Sequence, residues 1–246
     1  MNAAHQSQLR LLDLQAADTA LAQLAHRRRT LPELAALAER ERRADVLTSD
    51  IIDAETRAAD AADEQRRLEN EVDAVRTRTA RDEQRMQSGG LPAKEIEGLQ
   101  HEVATLARRQ SNLEDDLLEV MEQREQADAA LSELATQRTV VDGERGELTA
   151  ARDAAFAEID SAVAARTGER AMIANELPAD LLALYERARE HGGGVGAAML
   201  RQRRCEGCRI ELSGSELSAV RTAAPDDVVR CENCRRILVR TAESGL

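Results

Sequence analysis

The sequence predicts a mainly α chain, a long antiparallel helical hairpin followed by a small C-terminal α+β module. Three observations carry this. Aromatic residues are 1% of the 246 residues (Phe156 and Tyr185, with no Trp) while 33% are charged. A compact core of ordinary type is short of its largest members, and the Ala, Leu, Glu and Arg mixture suits long helices and coiled coils. No proline falls between Pro32 and Pro92, nor between Pro92 and Pro178, so two long uninterrupted helices are allowed. An apolar repeat of 3.5 residues runs through both stretches, the pattern of a coiled-coil seam.

The elements follow in order. Leu9, Leu14, Leu21, Leu24 and Leu31 predict helix on both sides of Pro32, with a kink there. From Leu47, steps of four and three pass through Ile51, Ala54, Ala58, Ala61, Gln65, Leu68, Val72, Val75, Thr79 and Asp82 to Met86; nine of these twelve are apolar, enough to define a seam. Ser88-Gly89-Gly90-Leu91-Pro92 is a short turn, which makes its flanking helices antiparallel neighbours. The second seam runs from Ile96 through Leu99, Val103, Leu106, Gln110, Leu113, Leu117, Val120, Arg124, Ala127, Leu131, Leu134 and Arg138 to Val141, eleven of fourteen apolar. Gly143 and Gly146 then predict a softened or bent stretch. Near-equal arms, each about 120–130 Å if straight, bring both ends of the hairpin back together.

Asn175-Glu176-Leu177-Pro178 opens a short helix with Leu181, Leu182, Leu184, Tyr185 and Ala188 as its apolar face, ended by Gly192-Gly193-Gly194. Strands are expected at 195–200, 228–230 and 237–239, and Ser213-Gly214-Ser215-Glu216 reads as a capping box ahead of a short helix. The expected division is therefore 1–175, the hairpin with its tip near 87–93, and 176–246, a short helix plus the terminal module.

The formal net charge is −12, with a sequence pI of about 5.0. This excludes a wholly basic nucleic-acid binder, though not a local basic patch. No run of about 18 apolar residues suggests a membrane span. The first residues, Met1-Asn2-Ala3-Ala4-His5-Gln6, have neither a basic nor an apolar leader segment. A cytoplasmic location is expected, and in a reducing compartment four Cys point to metal before disulfides.

Those cysteines are the strongest local signal. Cys205-Glu206-Gly207-Cys208 and Cys231-Glu232-Asn233-Cys234 are two C-x2-C knuckles separated by 22 residues. Such a set binds one Zn²⁺ tetrahedrally, and two knuckles beside strands make a zinc ribbon. A redox C-x-x-C opens a helix in a βαβ setting, which is absent here. Cys205, Cys208, Cys231 and Cys234 are the expected ligands of one structural zinc, and four thiolates leave no open position for catalysis. Gly207 and Asn233 are expected to provide unusual backbone angles in the turns. The module's scant apolar core leaves the metal to supply much of its folding energy. His191 is expected to face solvent or lie beyond the metal's ligands.

Two basic surfaces stand out against the acidic chain. Residues 191–246 carry nine Arg and seven acids, so their net charge is +2 where residues 1–190 carry −14. Arg201, Arg203 and Arg204 precede the first knuckle, and Arg235, Arg236 and Arg240 follow the second; they either contact phosphate or balance the thiolates. Around the hairpin tip, Arg76, Arg78, Arg81, Arg85 and Lys94 outnumber Asp82 and Glu83, making either a docking end for an anionic partner or an ordinary solvated surface. The many carboxylates of the arms read as solvated faces, and no nucleophile elbow, phosphate loop or HExxH is present.

The segments Gly89-Gly90-Leu91-Pro92-Ala93-Lys94-Glu95-Ile96-Glu97-Gly98-Leu99-Gln100-His101-Glu102, Arg204-Cys205-Glu206-Gly207-Cys208 and Val228-Val229-Arg230-Cys231-Glu232-Asn233-Cys234-Arg235-Arg236-Ile237-Leu238 resemble those of bacterial C4-type zinc-ribbon proteins with an N-terminal coiled-coil hairpin, particularly actinobacterial members. The resemblance covers essentially the whole chain, and the ribbon segments are its specific part. It implies a non-enzymatic binding protein. Members in flagellated or type III-secreting bacteria look like adaptors or chaperones linked to a sigma factor, secretion components or RNA. It also implies zinc at the four cysteines; it does not imply a particular partner.

Two functions follow. One is a coiled-coil adaptor or chaperone-like scaffold that binds a protein through hairpin and ribbon. The other is a DNA- or RNA-binding regulator acting through the ribbon, with Arg201, Arg203, Arg204, Arg235, Arg236 and Arg240, or Arg81, Arg85 and Lys94 at the tip, as contacts. Without aromatics, such contacts are to phosphate and not to stacked bases. No membrane or small-molecule substrate is expected.

Overall fold

A computed structural model describes residues 1–246. In chain order its elements are α1 (His5–Arg29), α2 (Pro32–Gln87), α3 (Ala93–Asn175), α4 (Ala179–His191), β1 (Ala197–Arg201), β2 (Arg204–Cys205), α5 (Gly214–Thr222), β3 (Val229–Arg230) and β4 (Ile237–Val239). They form two compact units, one of Met1–Leu34 with Ala150–Leu246, the other of Ala35–Thr149.

The second unit is the antiparallel pair formed by α2 and the part of α3 up to Thr149. Cross-helix bonds run in opposite order along the two chains: Arg85 meets Glu95, Arg76 meets Glu114, Arg43 meets Gln137 and Arg40 meets Glu144. The heptad positions form the contact. Leu47, Ala54, Leu68, Val72 and Val75 on α2, and Leu99, Leu106 and Val141 on α3, are all buried. Of the seam positions read from the sequence, only Arg124 is exposed. It reaches across to Gln65 Oε1 at 3.1 Å. Arg138, another polar seam residue, donates to the Ala44 carbonyl at 3.1 Å and to Thr48. These bonds satisfy polar groups that would otherwise weaken the seam. Asp82 is the exception: it is buried, and its Oδ2 has no hydrogen-bond partner.

Helix α3 runs without a break from Ala93 to Asn175, through Gly143 and Gly146; the neighbouring strong helix formers outweigh their cost of about 1 kcal/mol each. One local expectation is corrected: at Pro32 the chain does not merely kink. Helix α1 ends at Arg29, Thr30 caps it with its N–H on the carbonyls of His26 and Arg27, and Pro32 starts a new helix. Pro suits this first helical position, where its missing N–H leaves nothing unsatisfied. The tip turn requires its glycines, since Gly89 and Gly90 have φ of +75° and +83°.

In the first unit a four-stranded sheet of order β2-β1-β4-β3 is clamped on both faces. Strands β1 and β4 are parallel with Ala197 opposite Ile237, while β3 and β2 lie antiparallel outside them. Side chains alternate across a strand, and the two faces bury different clusters. Ala197, Ile237 and Val239 pack on Leu11 and Leu14 of α1, Ile173 of α3, and Leu181 and Tyr185 of α4. Ala198, Leu200 and Leu238 pack on Leu212, Val220 of α5 and the buried Cys205 and Cys231. The sequence of the terminal module suggests a scant apolar core; the structure adds to it Leu11 and Leu14 of α1 and Ile173 of α3, which are distant in sequence.

Candidate metal centre

The four cysteines occupy two knuckles of matching geometry. In the first, the Cys205 N–H donates to the Ile210 carbonyl at 3.0 Å and the Arg209 N–H to the Cys205 carbonyl at 2.7 Å; in the second, Cys231 N–H donates to Arg236 at 2.9 Å and Arg235 N–H to Cys231 at 2.9 Å. The residue after each second cysteine is left-handed, Arg209 with φ of 61° and Arg235 with 64°. These two arginines, and not Gly207 or Asn233, hold the unusual backbone angles. Gly207 is needed for another reason: a Cβ there would lie 2.7 Å from Arg236 Cδ and 3.0 Å from Ala198 Cβ.

The four Sγ atoms lie within 4.8 Å of one another. Cys205 Sγ is 3.8 Å from Cys234 Sγ, and Cys208 Sγ is 3.9 Å from Cys231 Sγ. A tetrahedron with Zn–S bonds of about 2.3 Å has edges of about 3.8 Å, so the sulfurs are spaced for one zinc. Burial pushes the Cys205 thiol well above the ordinary value, and the N–H groups of Cys208 and Gly207 oppose it by favouring the thiolate. Burial also raises Cys231, again opposed by knuckle N–H groups, from Cys234 and Asn233. At Cys234 burial is outweighed by the Arg236 N–H and by hydrogen bonds from neighbouring thiols, so this thiol lies below its usual range. The N–H groups aimed at sulfur are what a bound thiolate set needs. A zinc held by Cys205, Cys208, Cys231 and Cys234 would cross-link the two knuckles, and four sulfurs would leave it no open position. His191 is exposed and turns its Nδ1 to the Arg187 carbonyl at 2.7 Å.

The arginines singled out in the sequence divide into two kinds. Arg236 holds the first knuckle from the second, donating to Gly207 O at 2.9 Å, Val195 O at 3.1 Å and Gly192 O at 2.5 Å. Arg240 sits under the end of α5 and donates to the carbonyls of Ala223 (2.9 Å), Ala224 (2.5 Å) and Asp227 (3.0 Å). Both tie the fold together through carbonyls that would otherwise go unpaired. Arg201 pairs with Glu243 at 2.9 Å, and Arg203 reaches the Gly245 carbonyl at 3.2 Å. Arg204 and Arg235 project into solvent. In the other unit, Arg85 pairs with Glu95, while Arg81 and Lys94 are exposed.

Sequence reasoning missed a buried polar network that joins α1 to the sheet. Gln15 Oε1 accepts the Gly196 N–H at 2.7 Å and the Tyr185 hydroxyl at 3.2 Å, while its Nε2 donates to Gly194 O at 3.1 Å. Asp18 accepts from Tyr185 at 2.7 Å and from Arg170 Nε at 2.6 Å. The first residues also join the module: Ala3 N–H donates to Asp226 O at 2.8 Å and Val228 N–H to Met1 O at 3.1 Å. The one available sequence signal was Gln15 and Asp18 standing among leucines of an apolar helical face.

Comparison with known proteins agrees with this architecture. A model of the CT398-like coiled coil hairpin domain matches residues 14–193, and one of the C4-type zinc ribbon domain matches residues 204–238. The Mycobacterium tuberculosis protein Rv2229c is 39% identical over 240 residues, covering 98% of each chain. The Mycobacterium leprae protein ML1638 is 37% identical over 214 residues, covering 87% of this chain and 91% of its own. A solved structure from Mycobacterium smegmatis superposes with TM-score 0.88 at 38% identity, over 98% of this chain and 100% of that one. CT398 from Chlamydia trachomatis has the same fold, with TM-score 0.73 at 18% identity over 96% and 98% of the two chains. No helix is long and apolar enough to cross a membrane. The chain belongs to the family defined by the CT398-like coiled coil hairpin domain, and it carries that hairpin together with a C4-type zinc ribbon.

Proposed function

We propose that the protein is a cytoplasmic adaptor that binds a protein partner without chemistry of its own, with hairpin 1–175 and ribbon-bearing module 176–246 as its two working parts. The observation that carries this reading is the four-sulfur cluster, with Cys205, Cys208, Cys231 and Cys234 as ligands of a structural zinc. The spacing suits a closed tetrahedron, and two of the arginines beside the second knuckle, Arg236 and Arg240, serve the backbone. The long helices supply extended surface, and surface is what an adaptor uses.

The test is affinity capture from native lysate with the full-length protein and three surface variants. Arg81→Glu with Lys94→Glu alters the tip, Asp50→Lys with Asp60→Lys the middle of the hairpin, and Arg204→Glu with Arg235→Glu the ribbon. Recovery of a protein that at least one variant loses supports the reading; identical recovery by all four contradicts it. The nucleic-acid alternative rests on Arg204 and Arg235, with Arg201 and Arg203 beside them. It requires affinity that falls steeply with salt and with Arg204→Glu.

A further inference from the structure

The net charge of the chain is concentrated in one place. Residues 35–149 carry 28 acidic and 16 basic side chains, a net of −12, while the rest of the chain carries 18 of each and is neutral. Within the hairpin, residues 45–64 hold seven acids and one Arg, and residues 111–128 hold seven acids and one Arg. These stretches share the middle of the α2–α3 pair, as the Gln65–Arg124 bond locates them.

At that level the α2 side of the seam is alanine at Ala54, Ala58 and Ala61. Ala54 and Ala61, with Ala127 and the exposed Ala130 on α3, line a groove of about 720 Å³ that also touches Val120 and Leu134. The walls carry Asp50, Asp60 and Glu64 against a single cation, Arg57. Arg57 turns back along its own helix to the Asp53 carbonyl at 3.2 Å. Glu64 pairs with Arg67 on the outer side, whereas Asp50 and Asp60 have no ion-pair partner. The lining runs from residue 50 to 64 on one helix and from 120 to 134 on the other, a length of about 21 Å. That is room for about four turns of a third helix.

We propose that this groove docks a basic amphipathic helix of a partner protein. An alanine lining admits the apolar stripe of an incoming helix at close approach, and unpaired carboxylates on the rim select Lys or Arg on its flanks. A second copy of this chain is disfavoured as the occupant because its own hairpin repeats the −12. The same field repels a nucleic-acid backbone. The inference rests on the adaptor reading and names one docking surface and the chemistry of the segment that fills it.

The probe is a fluorescein-labelled synthetic helix of Leu, Ala and Lys, about 18 residues long, with leucines at i, i+3, i+4 and i+7 and lysines on both flanks. Its control is an isomer of the same composition without that period. Anisotropy with the full-length protein should show the amphipathic peptide binding at least about tenfold more tightly than its isomer. Asp50→Lys with Asp60→Lys, and separately Ala130→Arg at an exposed helical position, should each weaken it by about tenfold or more. Asp115→Lys with Asp116→Lys makes the same charge change away from the lining and should cost less than about twofold. Equal binding of the two peptides, or equal loss in the two lysine variants, overturns the groove and leaves a diffuse acidic field. If the groove fails in this way while captured proteins still depend on the tip or ribbon, the adaptor reading survives without it. If capture is identical for every variant, the adaptor reading falls whatever the peptides do.

Discussion

The Tyr185 hydroxyl donates to Asp18 Oδ2 at 2.7 Å, a buried bond between residues 167 apart in the chain. It joins α4 to α1 beside the sheet that carries the knuckles. Arg170 completes the pairing of Asp18 and also meets Glu186 at 2.5 Å. Because Tyr185 is the only tyrosine, this bond has its own spectroscopic reporter. Tyr185→Phe should lower stability by about 2 kcal/mol, the range for a buried hydrogen bond to a charged acceptor. Equilibrium unfolding in urea measures it.

Burial first, and the Asp18 carboxylate second, raise the Tyr185 phenol well above its ordinary value. A raised folded-state value means that the native state favours the neutral phenol. This stabilisation is complete below the unfolded tyrosine value of about 10 and is lost as pH rises above it. Tyrosinate absorbance of the native protein should therefore stay low past pH of about 10 and appear together with unfolding. A titration at the free-tyrosine value in native protein would contradict the buried bond.

Glycines should respond to alanine with opposite signs. At Gly196 a Cβ would lie 2.6 Å from the Tyr185 carbonyl and 2.8 Å from its ring, so Gly196→Ala should destabilise by about 1–3 kcal/mol. At Gly146, inside α3, a Cβ would have nothing within 4 Å, so Gly146→Ala should stabilise by about 0.5–1 kcal/mol through helix propensity. Thermal melts of the two variants test the pair.

Asp82 is a buried carboxylate in an apolar seam, with Oδ2 unbonded and Arg78 Nε 4.0 Å away. Replacing it by an apolar residue removes a desolvation cost that no hydrogen bond offsets and the distant Arg78 offsets only weakly. Asp82→Leu should raise the denaturation midpoint, by about 1–3 kcal/mol in free energy. A lower midpoint would show that the carboxylate is satisfied in solution.

Metal removal should act locally. Cys205 and Cys231 belong to the cluster of Leu200, Leu212, Val220 and Leu238, whereas the other face of the sheet packs on α1 and α4. Chelation or Cys208→Ser should abolish hydrogen-exchange protection in the knuckles and α5 while leaving residues 35–149 protected. Metal analysis of the native protein should find about one zinc per chain.

The seam and the knuckles were legible because their signals are local and periodic. Leucine and valine every 3.5 residues locate a helix contact, and C-x2-C pairs locate four sulfurs. The capping box is of the same kind: Glu216 N–H donates to Ser213 Oγ, and Ser213 N–H to Glu216 Oε2 at 2.6 Å. The contacts of α1 with the sheet were not legible. Gln15 meets Gly196 across 181 residues, and nothing near either residue announces the other. From sequence Arg236 and Arg240 are candidates for phosphate contact or for balancing the thiolates, because a basic side chain near a knuckle looks the same whether it binds phosphate or backbone carbonyls. Strand β2 has two residues, too few for a period.

The most direct measurement is affinity capture from native lysate with the full-length, zinc-loaded protein, run with and without nuclease. An adaptor for proteins recovers the same protein partner in both samples, in amounts that nuclease does not change. Recovery that disappears on nuclease treatment would contradict the account and assign the ribbon to nucleic acid.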